Sequence, residues 1–311
     1  MMAEPASTQN GRYRVMTRVL GLDIGASTTR AQLVVDDSVV AEARAASASM
    51  TAAGPARADA AIAHLLAQLP ELTASLDAVG VGAAGVITAP GTREFITARL
   101  APLTTSGRVV VVDDASLVLP AAGLTDGIAV ICGTGSMGTG CWHGRSAWAG
   151  GWGYLLGDEG SGYWIVRSAV RELLARADRG ADAGPLGSCL LACAGAPDLT
   201  ALRGEFYRQP QPSHWARHAP AVLDCPDPAA ARIAEAAAQA LAGLAAQVAE
   251  RLGAAGGIPV VLAGGLMANQ GLLAATISAV EAALPGSSAR ILGNPPVAGA
   301  VRLAAAAAAE Q

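Results

Sequence analysis

Gly150-Gly151-Trp152-Gly153-Tyr154-Leu155-Leu156-Gly157-Asp158-Glu159-Gly160-Ser161-Gly162 sets six glycines around two adjacent carboxylates, and a helical pattern follows at once. Glycine at this density carries an entropic cost on folding. The cost is explained where backbone must approach a ligand closely or take up positive φ, demands that a bland surface loop does not make. Upstream, residues 127–132 (Gly-Ile-Ala-Val-Ile-Cys) read as a buried strand that runs into Gly133-Thr134-Gly135-Ser136.

Outward from this stretch, strand and helix patterns alternate. Residues 137–142 and 145–149 read as two more strands. Residues 161–177 read as a helix whose apolar face is Tyr163, Ile165, Val166, Val170, Leu173 and Leu174. The clearest helix spans 227–252, with Asp227 as N-cap, Pro228 in the first turn and Gly253 at the exit. Its apolar positions Ile233, Ala237, Leu241, Leu244, Val248 and Leu252 form one stripe. A strand at 258–263, a helix at 269–283, a strand at 289–292 and a last helix at 297–309 follow.

The first half runs in the same order. Strands at 19–23, 29–35 and 38–46 are followed by a helix at 57–69, strands at 77–82 and 109–112, and a short helix at 115–122. The tetravaline at 109–112 suits a strand covered on both faces. Two successive units of three strands, helix, strand, helix, strand, helix predict an α/β fold of two related domains. Each unit opens with a tight turn, at 23–29 and at 133–138. Two such turns facing one another across a cleft would hold the two sides of a polyphosphate. The Pro- and Gly-rich stretch 180–226 reads as an irregular insertion in the second half.

At 311 residues the chain exceeds the comfortable size of one hydrophobic core, so two domains are expected. A net charge of −4, spread without blocks, argues against nucleic acid and anionic membrane as partners. The hydrophobic share of 52% is largely alanine and contains no apolar run long enough to span a bilayer. Residues 1–11 are polar and lack the apolar segment of a signal peptide, and Met16 is an alternative start. Five cysteines, without CxxC spacing, argue against a disulfide framework and for a reducing cytoplasm. Cys189 and Cys193, and likewise His214 and His218, lie four apart, yet no third and fourth zinc ligand stands out. The two histidines sit among Pro210, Pro212 and Pro220, where a regular helix is not expected.

Asp23-Ile24-Gly25-Ala26-Ser27-Thr28-Thr29 has the form Asp-x-Gly-x-Ser-x-Thr. Its backbone N–H groups and hydroxyls suit phosphate oxygens, and the acid suits Mg²⁺ held through water. The same residues also fit a plain hairpin turn. Gly133-Thr134-Gly135-Ser136-Met137-Gly138 is a literal GxGxxG, with Asp158 twenty residues beyond it. A dinucleotide-binding unit needs a helix directly after these glycines, and residues 139–144 read as strand and turn instead. The P-loop pattern GxxxxGK[ST] is absent.

Taken in order, these segments resemble the BadF/BadG/BcrA/BcrD-type family, and within it the N-acetylglucosamine kinases of the sugar kinase, chaperone and actin superfamily. The resemblance runs from about residue 18 to 306. It is carried by 23–29, Asp113-Asp114-Ala115, 133–136, the GWGxLLGDEGSG segment, Ala263-Gly264-Gly265-Leu266 and Pro295-Pro296 with Gly299-Ala300. It implies two RNase H-like (actin-like ATPase) domains with a cleft between them. The N-terminal domain would cover 17–118, with the helix 297–311 packing back on it, and the C-terminal domain 119–296, with its insertion near 180–226.

The implied reaction is phosphoryl transfer from MgATP to the 6-hydroxyl of N-acetylglucosamine, in a cytoplasmic homodimer. Asp114 matches the catalytic base, although the neighbouring Asp113 leaves open which acid takes the proton. Asp23 would position Mg²⁺. Gly25, Ser27, Thr28, Thr29, Gly133, Thr134, Gly135 and Ser136 would line the phosphates, and Gly264, Gly265 and Leu266 the adenosine. Asp158 matches the sugar-binding aspartate, joined by Ala84, Gly85, Gly135, Met137, Gly151, Trp152 and Gly162. Met137 and Ala84 replace an asparagine and a serine of relatives, which leaves glucosamine and N-acetylmuramate open as substrates. A non-catalytic sugar- or nucleotide-binding regulator and a partner-activating ATPase are the rival readings. The zinc motif of the ROK kinases is absent.

Overall fold

The computed structural model describes residues 17–310 apart from 71, 73 and 255. The readings of residues 1–11 and of Met16 lie outside the described residues. The chain divides into two units, one running to Val111 and resuming at Ala300, the other being Val112–Gly299.

In the first unit, β1 (Arg18–Ile24), β2 (Thr28–Val35) and β3 (Ser38–Ala46) form an antiparallel meander. Helices α1 (Met50–Ala53) and α2 (Pro55–Ala67) lead to β4 (Ala78–Ala83), which pairs parallel to β1. Helix α3 (Thr92–Leu100) then leads to β5 (Val109–Val112), giving the sheet order β3-β2-β1-β4-β5. Ile62 and Leu65 of α2 and Ile96 and Leu100 of α3 bury against Leu20, Leu22 and Val81 on one face. Helix α12 (Val297–Ala309) covers the opposite face, its Ala304 and Ala307 against Val19 and Ala78. Gly80 makes this approach possible, because a Cβ there would collide with the carbonyl of Ala300.

In the second unit, a 3-10 turn (Asp114–Leu117) and α4 (Val118–Ala121) precede the meander β6 (Gly127–Cys132), β7 (Ser136–Trp142) and β8 (Arg145–Gly150). Helices α5 (Gly162–Asp178), α6 (Gly184–Ala194), α7 (Leu199–Arg208), α8 (Pro212–Ala216), α9 (Ala219–Leu223) and α10 (Pro228–Leu252) follow. Strand β9 (Val260–Ala263) pairs parallel to β6, α11 (Gln270–Ala283) crosses over, and β10 (Ala289–Ile291) pairs parallel to β9. The sheet order β10-β9-β6-β7-β8 repeats the first, strand for strand. The duplication read from the sequence is therefore present in the topology. Helices α5, α10 and α11 supply the main core, and α4 packs on the other face against Ala129 and Val261.

Three expectations are corrected. The stretch 180–226 is not irregular: it holds α6–α9, whose prolines stand in the first turns of α6, α8 and α9. Proline lacks only an N–H that would be unpaired there, so it starts these helices rather than breaking them. Trp215, fully buried, stacks on Phe206 at 4.3 Å and donates its Nε1–H to the carbonyl of Gln209 at 2.7 Å. His214 accordingly lies within α8, and His218 stands at the residue before α9. Helix α3 was not read from the sequence, and the single helix expected at 115–122 is a 3-10 turn followed by α4.

Candidate active site

In the second unit, β6 enters the turn at Gly133 and returns antiparallel as β7, so the GxGxxG glycines lead into a strand. That geometry excludes the dinucleotide-binding unit. The turn is closed by Gly133 N–H donating to the carbonyl of Gly135 at 2.9 Å. It is then clamped from α5, where Gly162 N–H donates to the carbonyl of Gly133 at 2.9 Å and Tyr163 N–H to that of Thr134 at 3.4 Å. Trp164 N–H goes to the Oγ of Ser161, the buried N-cap, at 3.2 Å. The first N–H groups of α5, ordinarily left over at a helix start, are spent on holding the turn. Ser136 and Gly162 are buried braces, whereas Thr134 is exposed.

The loop 150–162 folds over this turn. Asp158 has φ 59°, a left-handed conformation that aspartate tolerates better than most residues. Burial pushes its pKa upward, opposed by the nearby backbone N–H groups of Ser136 and Gly153. Gly135 leaves room for it: a Cβ there would lie 2.7 Å from Asp158 Oδ2. Ser136 Oγ donates to the carbonyl of Glu159 at 2.7 Å. The two glycine motifs of the sequence thus form a single structure, with a half-buried carboxylate set onto the phosphate-type turn. Trp152 is 64% exposed, its ring centroid 5.2 Å from that of Trp148, and Gly151 lies against Met137. Trp152 is therefore not a core residue.

Asp113 and Asp114 follow β5 at the start of the 3-10 turn, which lies against β6 and β7. Ala115 N–H donates to Asp114 Oδ1 at 3.1 Å. Burial, reinforced by the charge of Asp114, pushes Asp113 up to about 7; burial raises Asp114 as well.

A hollow of about 500 Å³ opens where β9 meets α11, lined by Gly265, Leu266, Asn269, Asp224, Leu223 and Pro220. Its size falls within the range of small-ligand pockets. Asn269 caps α11 by accepting Leu272 N–H at 2.9 Å and donates through Nδ2 to Asp224 Oδ1 at 2.8 Å. Gly264, at φ 102°, lies against the carbonyl of Cys132, where a side chain has no room. Asp224 and Asn269 were missed at the sequence level. The N-cap pattern at Asn269 was legible, but its contact to a residue 45 positions away was not.

In the first unit, Asp23 is half-buried near the end of β1, across the ladder from Arg30. The following turn closes by Gly25 N–H to the carbonyl of Thr28 at 3.0 Å, and Ser47 Oγ donates to the carbonyl of Gly25 at 2.8 Å. Ser27 is exposed and Thr28 half-buried. Thr29 is fully buried, its Oγ1 accepting Ala48 N–H at 2.9 Å, so it braces the turn from inside. Ala84 N–H donates to the carbonyl of Ile24 at 2.8 Å, which brings Ala84 and Gly85 beside the Asp23 turn. Among the described residues, no group of three His, Cys, Asp or Glu is placed to hold a metal ion. No single described helix is long and apolar enough to cross a membrane.

The chain is 33% identical over 175 residues to an N-acetylmuramic acid/N-acetylglucosamine kinase of Clostridium acetobutylicum, which covers 53% of this chain. It spans about half (56%) of the length of that curated relative. It is also similar to the crystal structure of a proposed N-acetylglucosamine kinase from Chromobacterium violaceum, with 28% identity and TM-score 0.73, over 93% of this chain and 99% of that one. A ROK family glucokinase from Streptomyces griseus, in complex with glucose and AMPPNP, shares the fold alone, with 19% identity and TM-score 0.57 over 93% and 99% of the two chains. The two five-stranded mixed sheets are thus those of actin-like ATPase kinases. The model of the BadF/BadG/BcrA/BcrD ATPase family, which implies ATP as the nucleotide, matches residues 20–304. With strand order, glycine turns and paired acids all in place along that span, the chain belongs to the BadF/BadG/BcrA/BcrD ATPase family.

Proposed function

We propose that the chain is an amino-sugar kinase that transfers the terminal phosphoryl of ATP to the 6-hydroxyl of N-acetylglucosamine. The observation that carries this reading is the seating of Asp158 on the Gly133–Ser136 turn. A carboxylate there suits a polyhydroxylated ligand, because its remaining lone pairs accept from vicinal hydroxyls and penalise ligands that lack them. Likeness to kinases that act on amino sugars supports the same substrate class.

Asp114 acts as the base, taking the acceptor hydroxyl's proton as that oxygen bonds to the terminal phosphorus and the bond to the departing diphosphate breaks. Thr134 and the N–H groups around Gly135 bind phosphate oxygens, and the hollow beside Gly265 and Leu266 takes the nucleoside. Asp23, an oxygen ligand at the end of a strand, suits Mg²⁺ held through water, which when bound neutralises phosphate charge. Ser27 and Thr28 of the same turn contribute donors. Met137 and Trp152 border the sugar, where an indole offers an apolar face and one donor.

The decisive experiment is a coupled ADP-release assay over N-acetylglucosamine, glucosamine, N-acetylmuramate and glucose, with the phosphorylated position fixed by NMR. N-acetylglucosamine 6-phosphate should be the product formed with the highest kcat/KM. ATP hydrolysis that no sugar accelerates would overturn the reading in favour of an ATPase that acts on a partner. Sugar binding without turnover would overturn it in favour of a regulator.

A further inference from the structure

The hollow where β9 meets α11 is walled largely by Pro220, Leu223, Leu266 and Ala268, and two polar side chains at its edge, Asp224 and Asn269, hold each other in place. Asn269 Oδ1 accepts Leu272 N–H at 2.9 Å. A backbone N–H can only donate, so the sense of the carboxamide is settled, and Nδ2 is the end that donates to Asp224 Oδ1 at 2.8 Å. That bond uses one of the two Nδ2 hydrogens. Within the second unit no described group donates to Asp224 Oδ2. A tie between the end of α9 and α11 needs one acceptor, which an asparagine would supply; a carboxylate brings a second. An acceptor and a donor therefore stand on neighbouring side chains. They also lie away from the Gly133–Ser136 turn. Gly264 packs on the carbonyl of Cys132, the residue before that turn, and the 3-10 turn Gly265–Ala268 then carries the chain to Asn269. At about 2 Å per residue this is roughly 8 Å, far enough to meet a nucleobase rather than the phosphates.

We propose that Asp224, held by Asn269, is a specificity-determining residue that accepts a hydrogen bond from the 6-amino group of adenine. Adenine sets that donor beside a ring nitrogen that accepts, and the second Nδ2 hydrogen of Asn269 answers the ring nitrogen. The apolar walls take the faces of the base, and the two side chains read its edge. A base without the amino group leaves the carboxylate unpaired against the hollow, which is where the discrimination comes from. The proposal rests on the reading of this hollow as the seat of the nucleoside, and not on the acceptor being a sugar.

Calorimetric titration of the full chain with ATP and with purine riboside 5′-triphosphate, which carries hydrogen in place of the 6-amino group, tests this. The wild-type chain should bind ATP more tightly by roughly ten- to a hundredfold, the worth of a hydrogen bond to a charged group. Asp224→Asn keeps an oxygen for Asn269 Nδ2, and so keeps the tie, but offers the base a donor where it needs an acceptor. In that variant the two nucleotides should bind nearly equally, with circular dichroism unchanged. Equal binding in the wild type, or the same preference for ATP in both proteins, would overturn the proposal. So would a variant that loses only its preference for ATP over 2′-deoxyATP, since the carboxylate would then serve the ribose. Ala268→Trp, which fills the hollow, should weaken both nucleotides; unchanged ATP affinity there would place the nucleoside elsewhere and end the proposal together with the site reading. A preference that Asp224→Asn abolishes, in a protein that phosphorylates no sugar, would uphold the role of Asp224 and sink the kinase reading alone.

Discussion

At the scale of the residue, the proposed site turns on carboxylates set close against main chain. Asp114→Asn should lower kcat by roughly 10²–10⁴ and leave nucleotide affinity little changed, as expected for loss of a general base. Steady-state kinetics beside ATP-binding calorimetry would check both halves. Gly135→Ala probes the other carboxylate, since the added methyl falls 2.7 Å from Asp158 Oδ2. Displacement of a substrate-orienting group by about 1 Å is enough for losses on the order of 10². The loss should appear in kcat/KM for the sugar, with circular dichroism unchanged. Asp113 carries a stability signature too. Its folded pKa is raised above the unfolded value, so the unfolded chain ionises first and stability falls as pH rises from about 4 to about 7. Asp113→Asn should therefore raise Tm at pH 8, and the gain should shrink toward pH 4.

At the scale of the element, one buried acid ties three helices together. Asp227, the N-cap of α10, accepts both guanidinium nitrogens of Arg176 on α5, at 2.9 and 2.8 Å. It also accepts Leu186 N–H of α6 at 3.2 Å and Ala229 N–H at 2.9 Å. Arg176 first, and the two N–H donors after it, hold its pKa far below the usual carboxylate range. A depressed pKa places its stabilisation above the unfolded value near 4, lost as pH falls further. Asp227→Ala leaves Arg176 buried without this partner and should cost about 3–5 kcal/mol at pH 7. Urea denaturation would measure it, and the difference should narrow toward pH 2.

Much of this scale is legible in the sequence. Strands β1, β4, β6 and β9 show because their apolar runs are covered on both faces, and α10 shows because its stripe and caps agree. Helix α3 does not, because only Thr92, Ile96 and Leu100 are buried in an otherwise polar segment. Helices α6–α9 do not, because a proline looks the same whether it starts a helix or breaks one. The glycine motifs were legible as tight turns after β1 and β6. What they left out was partnership: that α5 spends its first N–H groups on the 133–136 turn, and that Asp224 meets Asn269. Such contacts depend on burial and on long-range placement, which no local pattern encodes.

At the scale of the whole molecule, two units with one strand order are joined by a chain that leaves the first at Val111 and re-enters it at Ala300. The returning helix is fitted closely, since Gly80 has room for nothing beyond hydrogen beneath Ala300. Gly80→Val should overpack that junction and destabilise the first unit by about 1–3 kcal/mol or more. Scanning calorimetry should show the transition assigned to the first unit falling, while that of the Val112–Gly299 unit is held.

Helix α12 also bears on how the protein is made. Synthesis runs from the N-terminus, and residues 112–299 emerge as one uninterrupted piece able to form its own core. The first sheet has no such independence: Val19, Val34 and Ala78 stay uncovered until α12 has been made. The first unit, begun before the second, is completed after it, and for that interval its bare apolar face is open to chaperones.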